Sequence, residues 1–202
     1  MGQLNKISLT LLINIYNFIL SFWYFSFPNC IKIITKKIEF PGRIPICRQL
    51  IRVSGIGKVI VGDNCRFGYK NGGFHRGGMI EFQARYKNAK INIGKNVSTN
   101  NNICICSANS ISIGDETLIG QYVTITDFEG HGIHPTKRKD IGEIGRIVIG
   151  KNVWIGSNVM ILKNTFIGDN TIVAAGAIVC GNYPENVIIG GVPAKIIKKI
   201  DV

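Results

Sequence analysis

Charge is scarce in this chain, and most of it has one sign. Charged residues make up 18% of the 202 positions, with 24 Lys and Arg against 12 Asp and Glu, a formal net charge of +12. So low a charged fraction argues against a disordered chain or a helical bundle with a charged surface. The positive excess points to anionic partners: phosphate-bearing cofactors, nucleic acid, acidic glycans or membrane surfaces. Nucleic acid is not expected among them, because the chain has no zinc-finger spacing, no basic helix and no aromatic RNP-like strand. The six cysteines (Cys30, Cys47, Cys65, Cys104, Cys106, Cys180) form no CxxC and no pairing pattern, which excludes a disulfide framework. Reduced, mostly buried thiols are the expectation, and with them a reducing, cytoplasmic compartment.

What the chain has in quantity is glycine, 24 residues, set in a period of six. From Ile149 to Val179 an aliphatic residue opens each unit, at Ile149, Ile155, Ile161, Ile167, Val173 and Val179. Four positions later stands Val153, Val159, Thr165, Thr171 or Ala177. Between them lie Gly, Asn, Asp and Ser, which tolerate tight turns and positive φ. A helix needs apolar spacing near 3.6 and a hairpin needs independent strands. A strict period of six predicts short strands winding into a parallel β-helix, whose stacked coils bury a core that no single coil could bury. Three units close one triangular coil, so Gly150 and Gly168 should stack one coil apart.

The same grammar runs upstream through Val61, Phe67, Ile93, Thr99, Ile105, Ile113, Ile119 and Ile125. It loses phase at Tyr69–Ala89 and between Asp127 and Arg146, and interruptions of a solenoid become loops that often carry function. The reading is therefore all-β: residues 55–202 as a solenoid with a protruding loop at 127–146 and a tail at 184–202, preceded by an apolar helical segment and linker over residues 1–54.

Ile7 to Phe27 carry no charge and are long enough to span a bilayer. Thr10, Asn14, Asn17 and Ser21 nevertheless recur at helical spacing, a polar stripe that lipid would penalise. No small-residue cleavage site follows, which argues against a cleaved signal peptide. Lys32, Lys36 and Lys37 could meet anionic headgroups. That leaves a spanning helix, an interfacial helix, or an amphipathic helix packed on the solenoid or a neighbouring subunit. Of these, peripheral association with the inner face of the cytoplasmic membrane is the expectation.

Chemistry is expected in the second interruption, Thr126-Asp-Phe-Glu-Gly-His-Gly-Ile-His-Pro-Thr-Lys-Arg138, which holds two of the three histidines. A histidine titrating near neutrality can take a proton from an alcohol as a new bond forms. A neighbouring carboxylate, with Asp127 as the candidate, or a carbonyl would hold its other ring nitrogen. In the first interruption, His75, Arg85 and nearby aromatics are candidates for contacting a sugar.

At this point the chain resembles a known family. Gly130-His-Gly-Ile-His-Pro-Thr-Lys-Arg138, Asn152-Val-Trp-Ile-Gly-Ser157 and Ile189-Gly-Gly-Val-Pro-Ala-Lys195 are similar to motifs of the hexapeptide-repeat acyltransferases, in the branch of galactoside, maltose and capsule or O-antigen polysaccharide O-acetyltransferases. The resemblance implies a left-handed parallel β-helix, a homotrimer, and acetyl-CoA bound between adjacent subunits without a metal. Carried over by position, it makes His131 the general base with His134 in reserve. Asn100 becomes an acceptor ligand, and Trp154, Ser157, Ala175, Lys195 and Lys198 become cofactor contacts. Cys180-Gly181 and Ala108 depart from the galactoside enzymes, which shifts the expected acceptor toward a surface glycan. Three histidines with an HxxH spacing do not match the longer spacing of zinc carbonic anhydrases built on the same helix. Before Gly55 there is no room for a nucleotide-binding domain. The alternative from another class is a non-enzymatic scaffold or glycan-binding module.

Overall fold

In the computed structural model, which describes residues 2–73 and 77–201, the aliphatic residues that open the hexads all turn inward. Ile149, Ile155, Ile161, Ile167, Val173 and Val179 are fully buried, as are Val153, Val159, Thr165, Thr171 and Ala177 four residues on. The residue between each pair turns the chain. Asn152, Asn158, Asn164 and Asn170 have φ between 52° and 59°, and Gly176 has φ 74°. Asparagine is the side-chain-bearing residue that best tolerates this left-handed conformation, which explains its recurrence at one position of the period. The inward threonines are satisfied by carbonyls. The Thr165 hydroxyl donates to Leu162 O (2.7 Å) and that of Thr171 to Pro184 O (3.0 Å).

The coils stack into three parallel faces. The first comprises Ile38–Glu39, Lys58–Val61, Lys90–Ile93, Ser110–Ile113, Arg146–Ile149, Thr165–Ile167 and Asn182–Tyr183. Ile46–Cys47, Arg66–Phe67, Ser98–Thr99, Leu118–Ile119, Trp154–Ile155, Ile172–Val173 and Val187–Gly191 make the second. Ile51–Gly55, Ile80–Ala84, Cys104–Ser107, Thr124–Thr126, Met160–Ile161 and Ile178–Val179 make the third. Ile149 pairs with Ile167 and Ile155 with Val173, a shift of eighteen residues per coil. Gly150 sits over Gly168 as expected: a Cβ on Gly150 would lie 2.9 Å from the Gly168 carbonyl carbon. The fold is a left-handed parallel β-helix.

Side chains reinforce the corner between the first and second faces. Asp63, Asp115 and Asp169 each accept a backbone N–H from the coil before, from Arg43, Lys95 and Lys151 at 2.7–3.0 Å. Beside them the amides of Asn152, Asn170 and Asn186 form a ladder at 2.9–3.0 Å. Two backbone donors hold the exposed Asp63 carboxyl below its ordinary value.

Three boundaries differ from the sequence reading. The solenoid begins at Ile38 rather than Gly55, because Ile38–Glu39, Ile46–Cys47 and Ile51–Gly55 form a complete first coil in register with the next. The first interruption is shorter than Tyr69–Ala89, since Ile80–Ala84 is a regular third-face strand. The expected tail contributes strands: Val187–Gly191 continues the second face, and Ala194–Lys199 returns antiparallel on its edge. Tyr183 locks that return, its hydroxyl lying 3.0 Å from the carbonyls of Cys180 and Ala194.

The N-terminal segment forms α1 (Gly2–Ser21), a turn of π-helix (Phe22–Ser26) and α2 (Cys30–Ile34). Phe25 is fully buried against Phe40 and enters the solenoid core. Asn29 is buried beside it, donating to Phe25 O and Ile51 O and accepting from Val53 N. The thiols divide by location. Burial pushes the Cys47 and Cys65 thiols up, Cys65 to about 11. Cys104 and Cys106 share the outward side of one strand, whereas Cys30 and Cys180 are exposed rather than buried.

The left-handed corners yield a direct test. Asn158→Val should lower the unfolding free energy by about 1–2 kcal/mol, the cost of left-handed backbone for a side chain with a branched Cβ, and Asn158→Gly by less than half of that. Urea denaturation midpoints compare the two. Equal losses would show that φ at this corner is not the limiting constraint.

Candidate active site

The second interruption leaves the solenoid after the third-face strand Thr124–Thr126 and returns at Arg146 on the first face. It is an irregular hairpin. Glu129 N donates to Glu143 O and Gly142 N to Glu129 O, while Phe128 bridges Ile144 antiparallel. Nearer the tip, Gly132 N reaches Asp140 O, and residues Pro135–Lys137 form one 3-10 turn.

Buried hydrogen bonds anchor its base. Asp127 is fully buried and accepts from the Ser107 hydroxyl (2.7 Å), Ala108 N (2.6 Å) and Asn109 N (3.1 Å). Its own carbonyl accepts from Gly145 N, and the Asn109 amide donates to Gly145 O. Outside this buried knot, Lys163 bridges Glu143 (2.7 Å) and Glu129 (3.3 Å), with the Asn164 amide on Glu143 at 2.9 Å. Lys163 and Asn164 hold the Glu143 carboxyl below its ordinary 4.5. The clasp is therefore complete above that pH and weakens as pH falls through the lowered value.

His131 sits exposed near the tip, with Nδ1 2.7 Å from Arg138 O. A carbonyl can only accept, so Nδ1 carries the proton and a neutral ring presents its Nε2 lone pair outward. Of the two partners expected for the ring, carboxylate or carbonyl, the carbonyl is the one in place. The expectation that Asp127 orients His131 is corrected: the Asp127 side chain turns under the corner and both its oxygens are engaged by residues 107–109. His134 caps the 3-10 turn through Nδ1, which lies 2.8 Å from Thr136 Oγ1 and accepts from Thr136 N. Arg85 reaches the loop base, its guanidinium 4.5 Å from the centre of the Phe128 ring. His75 lies outside the described residues.

The other expected residues lie elsewhere. Asn100, Ser157 and Ala175 stand along the corner between the second and third faces, with the Gly120 coil between Asn100 and Ser157. Asn100 N bonds Ile119 O in the next coil, and a Cβ on Gly156 would lie 2.6 Å from Ala175 N. A groove of about 530 Å³ opens there, lined by Arg66, Tyr69, Asn100, Leu118 and Trp154 among others. Trp154 is 55% exposed, so it lines the groove and is not a core aromatic. Buried Asn101 pins the first interruption beside this groove, donating to Tyr69 O and Gly73 O and accepting from Tyr69 N. Lys195 and Lys198 lie exposed on the returning strand at the end of the second face. One chain thus places His131 on one corner of the prism and the groove on another. Among the described residues no group of three or more His, Cys, Asp or Glu is placed to hold a metal.

The family described as "Bacterial transferase hexapeptide (six repeats)" matches residues 146–181. Over those residues this chain carries the repeat of that family. It is 42% identical over 115 residues to galactoside O-acetyltransferase of Escherichia coli K12, covering 56% of each chain. It is 43% identical over 114 residues to a putative lipopolysaccharide biosynthesis O-acetyl transferase, WbbJ, of the same strain, covering 52% of this chain and 58% of that one. The hexapeptide-repeat chain therefore spans a little over half the length of these relatives. Among solved structures it resembles a galactoside acetyltransferase in complex with coenzyme A, with TM-score 0.50 and 28% identity over 80% of this chain and 66% of that one. The N-acyltransferase AntD of Bacillus cereus shares the fold, with TM-score 0.65 at 18% identity over 85% and 88% of the two chains.

Carbonyls and corner contacts such as Arg138 O, Lys163 and Asn164 carry no sequence signature, and only the structure reveals their roles. The anchoring role of Asp127 is testable. Asp127→Ala strands two buried donors and a half-buried third and should cost about 3 kcal/mol or more of stability, with faster proteolysis between residues 128 and 144. Unchanged stability and protection would contradict the anchor.

Proposed function

We propose that this protein is an O-acetyltransferase that moves an acetyl group from acetyl-CoA to a hydroxyl of a sugar, with a surface-glycan precursor as the favoured acceptor. The observation that carries the reading is the fixed tautomer of His131, whose Nε2 faces outward from a pinned loop. In the proposed reaction Nε2 takes the proton of the acceptor hydroxyl while that oxygen attacks the thioester carbonyl. The tetrahedral adduct then collapses, expelling the CoA thiolate, which recovers the proton from the imidazolium. Nothing else is consumed.

The donor would lie along the groove corner. Trp154 and Leu118 offer an exposed apolar wall, Ser157 and Ala175 keep the corner narrow for a pantetheine arm, and Lys195 and Lys198 supply positive charge for the phosphates. The names of the relatives support acyl transfer to sugars. Lysines in place of arginines give charge without the bidentate fork.

Because loop and groove occupy different corners, a complete site needs the loop of one copy against the groove of the next. A cyclic homotrimer satisfies this at three equivalent interfaces. Ala108, buried under the loop with its N–H committed to Asp127, offers no carboxylate for a small galactoside, which favours a larger glycan acceptor.

Thiol release from acetyl-CoA, measured with a panel of nucleotide sugars, free sugars and lipid-linked or polymeric glycans, tests the reading. His131→Ala should lower kcat roughly 10²–10⁴-fold while oligomeric mass and acetyl-CoA affinity stay unchanged. Full activity in that variant would overturn the mechanism. A protein that neither binds acetyl-CoA nor releases thiol with any acceptor would instead be a scaffold.

A further inference from the structure

We propose that the N-terminal segment docks this protein onto an anionic bilayer surface, with α1 lying in the interface rather than crossing it. The first observation is an apolar helix face with nothing over it. Leu12, Ile15, Ile19, Phe22 and Trp23, on the side of the helix away from Asn17 and Ser21, are each 43–60% exposed. Single exposed apolar residues need no explanation, but a continuous face of this size does. Trp23 and its aromatic neighbours Phe22 and Phe27, packed on one another at 5.3–6.2 Å between ring centres, are the residue types that settle at the boundary between headgroup and acyl chain.

The second observation is positive charge at the same end of the molecule as that face. Directly after α2, a cleft of about 320 Å³ is lined by Lys36, Lys37, Lys58, Lys87 and Lys90. Lys58 and Lys90 are register neighbours on the first face, and Lys58 pairs with Glu39 at 2.7 Å. The cleft belongs to the first coils, the same end of the solenoid that the helices cap. Apolar and cationic surfaces at one end of the molecule match an anionic membrane, where insertion and headgroup attraction act together. A second copy packed on this end about a two-fold axis would bring the same lysines toward their own kind.

The third observation decides between lying and spanning. Leu9–Ser26 is long and apolar enough to cross a bilayer, with mean hydropathy 1.3. Yet the polar side of the helix is tied to the solenoid. Arg48 donates to Asn17 and stands over the Tyr16 ring, Ser21 accepts from Cys47 N at 3.2 Å, and Phe25 is buried in the core. A spanning helix would have to break these contacts and carry Asn14 and Asn17 into hydrocarbon.

Flotation of the full chain with vesicles is the test, comparing mixed phosphatidylglycerol and phosphatidylcholine with phosphatidylcholine alone. The protein should float with the anionic vesicles, less so as salt rises, and be released by alkaline carbonate. Lys36→Gln combined with Lys87→Gln should weaken binding roughly fivefold or more per lysine removed. Ile19→Asp combined with Trp23→Asp should abolish it, with circular dichroism and oligomeric mass unchanged. Absence of flotation with anionic vesicles would overturn the proposal. So would resistance to carbonate, which indicates a spanning helix. Loss of oligomeric mass in the Ile19→Asp, Trp23→Asp variant would show instead that a second copy covers the face.

Discussion

Everything in this molecule depends on one repeated constraint: every sixth residue must close a corner without a side chain striking the coil above. Neighbouring parallel strands lie about 4.8 Å apart, so corners stack backbone on backbone. A Cβ on Gly156 would fall 2.6 Å from Ala175 N, and one on Gly120 equally close to Ser157 N. Asparagine in the left-handed region turns the chain, and glycine lets the coils approach. The two inward side chains of each hexad then have no freedom of placement. Register follows from geometry, and a continuous core follows from register.

That rigidity is what makes an interruption useful. A long insertion in a flexible fold would wander, whereas here both ends of the 127–145 excursion are fixed by coils one strand spacing apart. The chain ties the two ends together with a buried carboxylate, the Asn109 amide and the Lys163 clasp. The tip then needs only one local bond, from His131 to Arg138 O, to set the ring's tautomer and direction. Precision at the tip is supplied by the base. Asp127 supports such a site without touching the imidazole, because it holds the floor on which the loop stands.

The solenoid was legible because its code is local: each hexad carries its own aliphatic, turn residue and second inward position. The first coil lacked that code. Pro41, Gly42 and Pro45 separate Ile38 from Cys47 at a spacing unlike six, so the coil is recognisable only from its pairing with Lys58–Val61 and Arg66–Phe67. The protruding loop was legible as a histidine-rich break in phase, but its internal contacts were not. Asp127 is four residues from His131 in sequence, and nearness along the chain suggested a partnership that buried hydrogen bonds to the previous coil preclude. Trp154 could not be assigned from sequence to core or groove, because an outward position on a two-residue strand has no period of its own. Thr10, Asn14, Asn17 and Ser21 read as a polar stripe, yet only tertiary structure shows that the solenoid engages its C-terminal half, Asn17 and Ser21.

A solenoid has two ends, and each exposes a core cross-section and a row of unpaired backbone groups unless something covers it. At the C-terminal end the chain folds back as an antiparallel strand that exposes Lys195, Lys198 and Lys199 together with Ile196 and Ile197. At the N-terminal end it uses Phe25 to fill the core and Asn29 to satisfy the first third-face strand. A helix recruited only as a cap would bury its apolar side and show its polar side to water. This one does the reverse, spending Asn17 and Ser21 on the protein and leaving leucines, isoleucines and aromatics outside. The inversion costs the isolated protein solubility and gives its solenoid nothing that a polar cap would not give. An apolar environment on the outer side of the helix would give the inversion physical sense, and the lysines at the same end of the solenoid fit the anionic surface proposed for it.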